Sequence, residues 1–226
     1  MFAQTLLPDT LRAINKIGKV PTFQKAYLAG GTALALQLGH RISVDLDFFT
    51  HEPFDERLVS QELGSVQEFS LEQLAPATVL GKIGETRLSL FFYKYGLLED
   101  PQKFEGIKLA GKKDIAAMKI NALESRGTKR DFIDIYFLSR EFTVESMINF
   151  YDQKYKCLEE HLYSIVKSLN YFADAEDDPI PQMLTEVSWE KVKRFFENTA
   201  LEITKSKITI YRRIRLPPLI SNSFTN

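Results

Sequence analysis

Apolar residues at Leu11, Ile14 and Ile17 recur at helical spacing, and with Pro8 near the start they predict a first helix over Asp9–Lys19, ended by Pro21. Phe23 to Ala29 then leads into a short apolar run, Tyr27-Leu28-Ala29. Gly30-Gly31 reads as a tight turn that residues bearing a Cβ would resist, followed by a short helix capped by Thr32 and ended by Gly39. From Ser43 to Thr50 the pattern switches to period two. Val44, Leu46 and Phe48 share one face of the predicted strand, and Asp45 and Asp47 share the other.

Further on, His51–Asp55 reads as a loop opening a helix through about Leu63, and Val66–Leu71 alternates like a strand. Thr78–Ile83 and Thr86–Tyr95 predict a hairpin around Gly84-Glu85. A short strand at Ile107–Ala110 precedes an alanine-rich helix over Gly111–Gly127. Thr128 suits the N-cap of a following helix, Asp131–Leu138, which is apolar nearly all round and therefore expected to be buried. Beyond Glu141 only helical spacing appears, over 143–151, 153–172 and 188–203, with an acidic, proline-containing loop at 174–181 and a basic segment from Lys205 to Arg215. These elements predict an α+β domain over residues 1–140, followed by an all-α region over 141–226 with a basic tail.

Composition narrows the class. The 226 residues are 44% hydrophobic and 26% charged, ordinary for a globular chain, and a net charge of −1 gives no global nucleic-acid signature. The single cysteine, Cys157, lies in a helical-looking run, excludes an intramolecular disulfide and fits a reducing cytosol. The first residues lack the basic start and longer apolar core of a signal peptide, and no apolar run reaches the ~20 residues of a membrane helix. A cytoplasmic location is expected.

The candidate chemistry sits first at Asp45 and Asp47. Two carboxylates on one strand face repel each other, increasingly so in a cleft, and a divalent cation removes that penalty. Mg²⁺ takes one or two carboxylates and leaves positions for water and substrate phosphates. A glycine turn at a helix N-terminus offers N–H groups and a positive dipole end to those phosphates. On the 111–127 helix, Lys119 borders the apolar stripe; it either lays its stem on the core or presents a cation to the cleft. Asp131 and Asp134, three apart, share a helix face and need partners: Lys129, Arg130 or the helix N-terminus on one reading, Lys119 or a bound substrate on the other.

Gly30-Gly31, thirteen residues and then Asp-apolar-Asp-apolar resembles the signature of the polymerase-β-like nucleotidyltransferases. The fuller form, Gly30-Gly31-Thr32-Ala33-Leu34 with Leu38-Gly39-His40-Arg41-x-Ser43-x-Asp45-Leu46-Asp47-Phe48-Phe49, resembles the AbiEii/AbiGii toxin family. So do Tyr95–Glu99, Asp114-Ile115-x-x-x-Lys119-x-x-Ala122 and Arg130-Asp131-Phe132-x-Asp134-Ile135-Tyr136-x-Leu138. The resemblance implies a mixed-sheet nucleotidyltransferase domain followed by helices, and the toxin half of a toxin–antitoxin pair with a separate antitoxin protein as partner. The implied reaction moves a nucleoside monophosphate from an NTP to an acceptor, the 3′ end of tRNA for some relatives. Asp45 and Asp47 would hold Mg²⁺ or Mn²⁺, and Gly30, Gly31 and Thr32 would bind phosphate. Arg41 would stabilise departing pyrophosphate, and Ser43 would bind phosphate or metal-bound water. Lys119 would neutralise phosphate or act as a base, with Asp131 or Asp134 orienting it or the acceptor. One departure stands out: polymerase-like relatives often carry a third metal carboxylate on a strand of this kind, but the Arg87–Tyr93 strand has none, and Ser89 is its only polar candidate. Alternatives are transfer to a protein or small molecule, or a non-catalytic nucleotide- or RNA-binding partner of an antitoxin.

Overall fold

The computed structural model describes the backbone of residues 1–215 and the side chains of residues 1–205. Its centre is a seven-stranded mixed sheet built from β1 (Tyr27–Leu28), β2 (Leu46–Thr50), β3 (Phe69–Ala75), β4 (Thr78–Ile83), β5 (Thr86–Phe92), β6 (Gln102–Phe104) and β7 (Ile107–Leu109), in the order β3-β4-β5-β2-β1-β7-β6. β2 runs parallel to β5 and antiparallel to β1, and β1 runs parallel to β7. The hairpin of β4 and β5 turns at Gly84-Glu85 as predicted, with Ile83 opposite Thr86.

The first helices differ from expectation. α1 covers Pro8–Ile17, and Pro21 begins a second helix, α2 (Pro21–Lys25), rather than only ending the first. Proline is well suited to a first helical turn, where no intrahelical N–H bond is required. α3 (Gly30–Leu38) starts at the glycine turn and ends at Gly39, in the left-handed region with φ 71°. Thr32 does not cap it. The N-cap is Ala29, and the Thr32 hydroxyl instead donates to the Asp45 carbonyl oxygen at 2.5 Å. The predicted strand from Ser43 begins only at Leu46, because the preceding residues bond elsewhere: Ile42 N–H to the Gln182 carbonyl and Ser43 N–H to the Thr5 carbonyl. Val44 accordingly stands exposed.

α4 (Glu56–Gly64) lies beneath β3, which begins at Phe69 rather than Val66. β6, an exposed edge strand with no apolar alternation, has no counterpart among the predicted elements. α5 (Lys112–Ser125) and α6 (Lys129–Leu138) match their predicted positions, with Thr128 accepting the Asp131 N–H as N-cap.

The helices expected at 143–151 and 153–172 divide differently. α7 (Val144–Tyr155) ends at Lys156, in the left-handed region, and α8 (Leu158–Ser168) begins after Cys157, which is its half-buried N-cap residue rather than a helix-interior one. The acidic connector is not all loop: α9 (Ala173–Glu176) occupies its first part. The last helix, α10, runs Trp189–Arg215, and the basic side chains of Lys207, Arg212, Arg213 and Arg215 lie outside the described residues.

α7 and α8 pack on α5, and one continuous apolar core runs from Leu6 to Ile203. A buried ion pair reinforces that join. Lys154 on α7 meets Asp114 on α5 at 2.7 Å, both fully buried, and Asp114 also accepts the Leu98 and Glu99 N–H groups.

Candidate active site

The site forms where the N-terminus of α3, the face of β2 and β5, and the α5–α6 corner converge. Gly30 adopts φ +67°, a conformation costly for any residue with a side chain. Gly31 is required for space: a Cβ there would stand 2.4 Å from Nη2 of Arg41. The parallel register sets Asp47 directly beside Ser89, whose hydroxyl bonds the Asp47 carboxylate. Ser89 thus occupies the neighbouring-strand position next to the aspartate pair, and it carries no charge.

A cleft of about 270 Å³ opens here. Gly31, Thr32, Ser43, Asp45, Asp47, Lys119 and Asp131 line it together with Arg41. Gly30 instead borders an adjoining cleft, and Asp134 is fully buried behind Lys119. Ser89 and Thr128 also line it, as do three arginines, Arg87 on β5, Arg126 at the end of α5 and Arg130 on α6. The sequence offers Arg130 only as a motif residue and a possible partner of the α6 carboxylates, and Arg87 and Arg126 belong to no local motif, so nothing short of the packed fold brings the three to one cleft. The cleft therefore has five cationic side chains against three carboxylates, in a chain whose net charge is −1.

Asp47 is held above the ordinary carboxylate range, chiefly by burial and then by the charge of Asp45 beside it. The opposite situation holds at the rear wall. Lys119 reaches Asp131 at 2.8 Å and Asp134 at 2.6 Å, so the two α6 carboxylates share one buried ammonium. Lys119 thus faces the cleft as a fixed cation. Lys129, the other candidate partner, turns away to the carbonyls of Glu176 and Asp178.

Burial pushes the Asp131 carboxyl up, but Lys119 and then Arg126 outweigh it and hold it at about 2. Asp134 is fully buried and nevertheless well below the usual range, because Arg41 and Lys119 overcome the burial cost. Nε and Nη2 of Arg41 bond its two oxygens at 2.7 and 2.9 Å, a bidentate pair, while Nη1 donates to the Ile42 carbonyl. His40 completes the set. Its pKa is lowered, chiefly by burial, so the ring is neutral and Nε2 donates to Asp134 at 2.8 Å.

This arrangement, a charged pair beside a glycine turn with a rigid cationic rear wall, suits binding of a polyphosphate with a divalent ion. The family model for the AbiEii nucleotidyl transferase toxin of type IV toxin–antitoxin systems matches residues 12–109, which include the glycine turn, Asp45 and Asp47. An uncharacterized protein of Aquifex aeolicus (strain VF5) is 36% identical over 203 residues, 87% of this chain and 97% of that one. Among solved structures, MenT4, a nucleotidyltransferase toxin from Mycobacterium tuberculosis H37Rv, shares the fold with a TM-score of 0.54 at 15% identity, over 85% of this chain and 82% of its own. JHP933 from Helicobacter pylori matches with a TM-score of 0.49 at 17% identity, covering 91% of this chain and 93% of that one. The fold and family define a nucleotidyltransferase. The chain belongs to the AbiEii nucleotidyltransferase toxin family.

Proposed function

We propose that Asp45 and Asp47 are the metal-holding carboxylates of an NTP-dependent transferase that adds a nucleoside monophosphate to an RNA 3′ hydroxyl, with tRNA as acceptor, and that a separate antitoxin protein restrains it. The observation that carries this reading is the ring of Arg87, Arg126 and Arg130 around two carboxylates that repel each other. A cleft with both features suits polyanion and cation together, and neither alone.

The donor set fits Mg²⁺ that arrives with its nucleotide. Two partly buried carboxylates line the cleft, and no group of three or more His, Cys, Asp and Glu placed to hold a metal occurs among the described residues. Mg²⁺ characteristically completes its shell with substrate phosphates and water. When bound, it would neutralise charge developing on the phosphates.

The chain's own groups do the rest. Gly31 and Thr32 at the start of α3 present N–H groups to phosphate oxygens. Arg87 would hold the departing pyrophosphate, and Arg126, whose Nε and Nη2 bond Asp131, would add its remaining charge; Arg41 is less suited, buried with all three nitrogens committed to Asp134 and Ile42. Arg41 and Asp134 act as positioning residues that fix Lys119. The acceptor oxygen bonds to the α-phosphorus as the α–β bridge breaks; pyrophosphate takes the electron pair and the proton leaves to solvent. Alignment and charge stabilisation dominate such a transfer.

An acceptor strand has a route on the Asp45 side. There a cleft of about 390 Å³ runs from Arg130 past Val44 and Ile180 to Pro181, combining a cation with an apolar platform.

The test is incubation with Mg²⁺, each α-³²P-labelled NTP in turn and total tRNA. Label entering tRNA, and lost with Asp45→Ala, is expected. Label appearing only on protein, or none anywhere from a folded enzyme, would refute the RNA acceptor.

A further inference from the structure

The polar pair Asp47 and Ser89 is followed, on the same face of the same parallel ladder, by the pair Phe49 and Phe91. One two-residue step, about 7 Å, separates the carboxylate from these rings. The two rings lie 5.5 Å apart, and Tyr93 adds a third ring 5.3 Å from Phe49. α5 forms the facing wall with Met118, Asn121 and Ser125, enclosing a cleft of about 410 Å³. Gly31, Asp47, Lys119 and Arg126 border both this cleft and the phosphate cleft, so the two are continuous.

The free hydrogen-bonding capacity of this aromatic cleft is small. The Tyr93 hydroxyl is bonded to Tyr155, and burial pushes its phenol up to about 12, so it offers a ring and not an anion. The Ser125 hydroxyl donates to the backbone carbonyl of Asn121 at 2.8 Å. The Asn121 carboxamide has no hydrogen-bond partner among the described residues, and it stands across from the rings. An amide presents a donor and an acceptor side by side, the complement of a nucleobase edge, while aromatic rings suit its face.

We propose that this cleft holds the nucleobase of the NTP, packed against Phe49, Phe91 and Tyr93, and that Asn121 reads its edge and thereby sets nucleotide choice. The inference rests on the reading that the Asp45–Asp47 cleft binds the triphosphate. The ladder geometry then places base and phosphates one ribose apart along a single sheet face.

Calorimetric titration of the full chain and of Asn121→Leu, in Mg²⁺, with ATP, GTP, CTP, UTP and inorganic tripolyphosphate tests it. The wild type is expected to prefer at least one NTP over the others and to bind all four more tightly than tripolyphosphate. In Asn121→Leu the preferred NTP should weaken roughly five- to a hundredfold, into line with the rest, with tripolyphosphate binding unchanged. Asn121→Ala should behave alike, which separates loss of the amide from bad packing by leucine. An unchanged ranking in both folded variants, or a wild type indifferent to the base, would overturn the assignment while leaving the triphosphate site standing. A wild type that binds neither tripolyphosphate nor any NTP would overturn both.

Discussion

The Asp134 carboxylate ties α6 to Lys119 of α5 and to the His40–Arg41 segment. It is fully buried and takes Arg41 through two nitrogens, Lys119 and His40 on its two oxygens. Asp134→Asn keeps the shape and removes the charge. Arg41 is then left without a carboxylate, and Lys119 retains only Asp131. Removing one partner of a buried ion pair costs about 3–5 kcal/mol, because the remaining charge stays desolvated. That is a large part of the ~5–15 kcal/mol by which a domain is stable. At roughly 2–4 °C per kcal/mol for a chain of this size, the melting temperature should fall by about 6–20 °C. Differential scanning calorimetry of the purified variant reads this directly. A melting temperature within about 2 °C of wild type would refute the reasoning, since it would mean that Arg41 and Lys119 do not depend on this carboxylate.

Asp45→Asn should do the reverse: removing the charge that helps raise Asp47 leaves the melting temperature unchanged or slightly higher, while nucleotide transfer falls at least about a hundredfold, read by calorimetry beside a transfer assay. Acid should unfold the chain through the α6 carboxylates. Asp131 is held at about 2, below its unfolded value of ~3.9, so its contribution is complete above that value and is lost as pH falls toward 2, a change that urea midpoints measured from pH 5 to 2 will show and that Asp131→Asn will flatten. Gly31→Ala should destabilise by about 1–3 kcal/mol, because its Cβ would meet an Arg41 guanidinium pinned by Asp134, whereas Gly64→Ala, at the end of α4 with nothing within 4 Å of the added carbon, should leave stability unchanged or raise it by up to about 1 kcal/mol by the same denaturation measurement.

What the sequence disclosed well was local. Gly30-Gly31, Gly39 and the Thr128 cap each declare themselves within a few residues through backbone conformation, and the Asp45–Asp47 spacing marks the cleft carboxylates although only Asp47 lies within β2. The spacing of Lys119, Asp131 and Asp134 was also legible, although not which carboxylate would meet which cation. What escaped depends on distant partners. Thr32 looked like a cap, but β2 brings the Asp45 carbonyl within reach of its hydroxyl. The strand start at Ser43 looked regular, but the 178–184 segment draws residues 40–42 away from the sheet through the Ile42–Gln182 and Leu184–His40 bonds. Arg87, Arg126 and Arg130 converge only once β5, α5 and α6 have packed. Lys154 gave no sign of being fully buried, because its partner Asp114 is 40 residues away.

If the Asp45–Asp47 cleft is a nucleotidyltransferase site, it moves a nucleoside monophosphate and not a terminal phosphate. The direct measurement pairs α-³²P with γ-³²P forms of the preferred NTP in the presence of Mg²⁺ and acceptor RNA. The expected result is α label in the RNA 3′ end, γ label in released pyrophosphate, and loss of both with Asp45→Ala. γ label carried into the acceptor, or α-label transfer that survives Asp45→Ala, would contradict it.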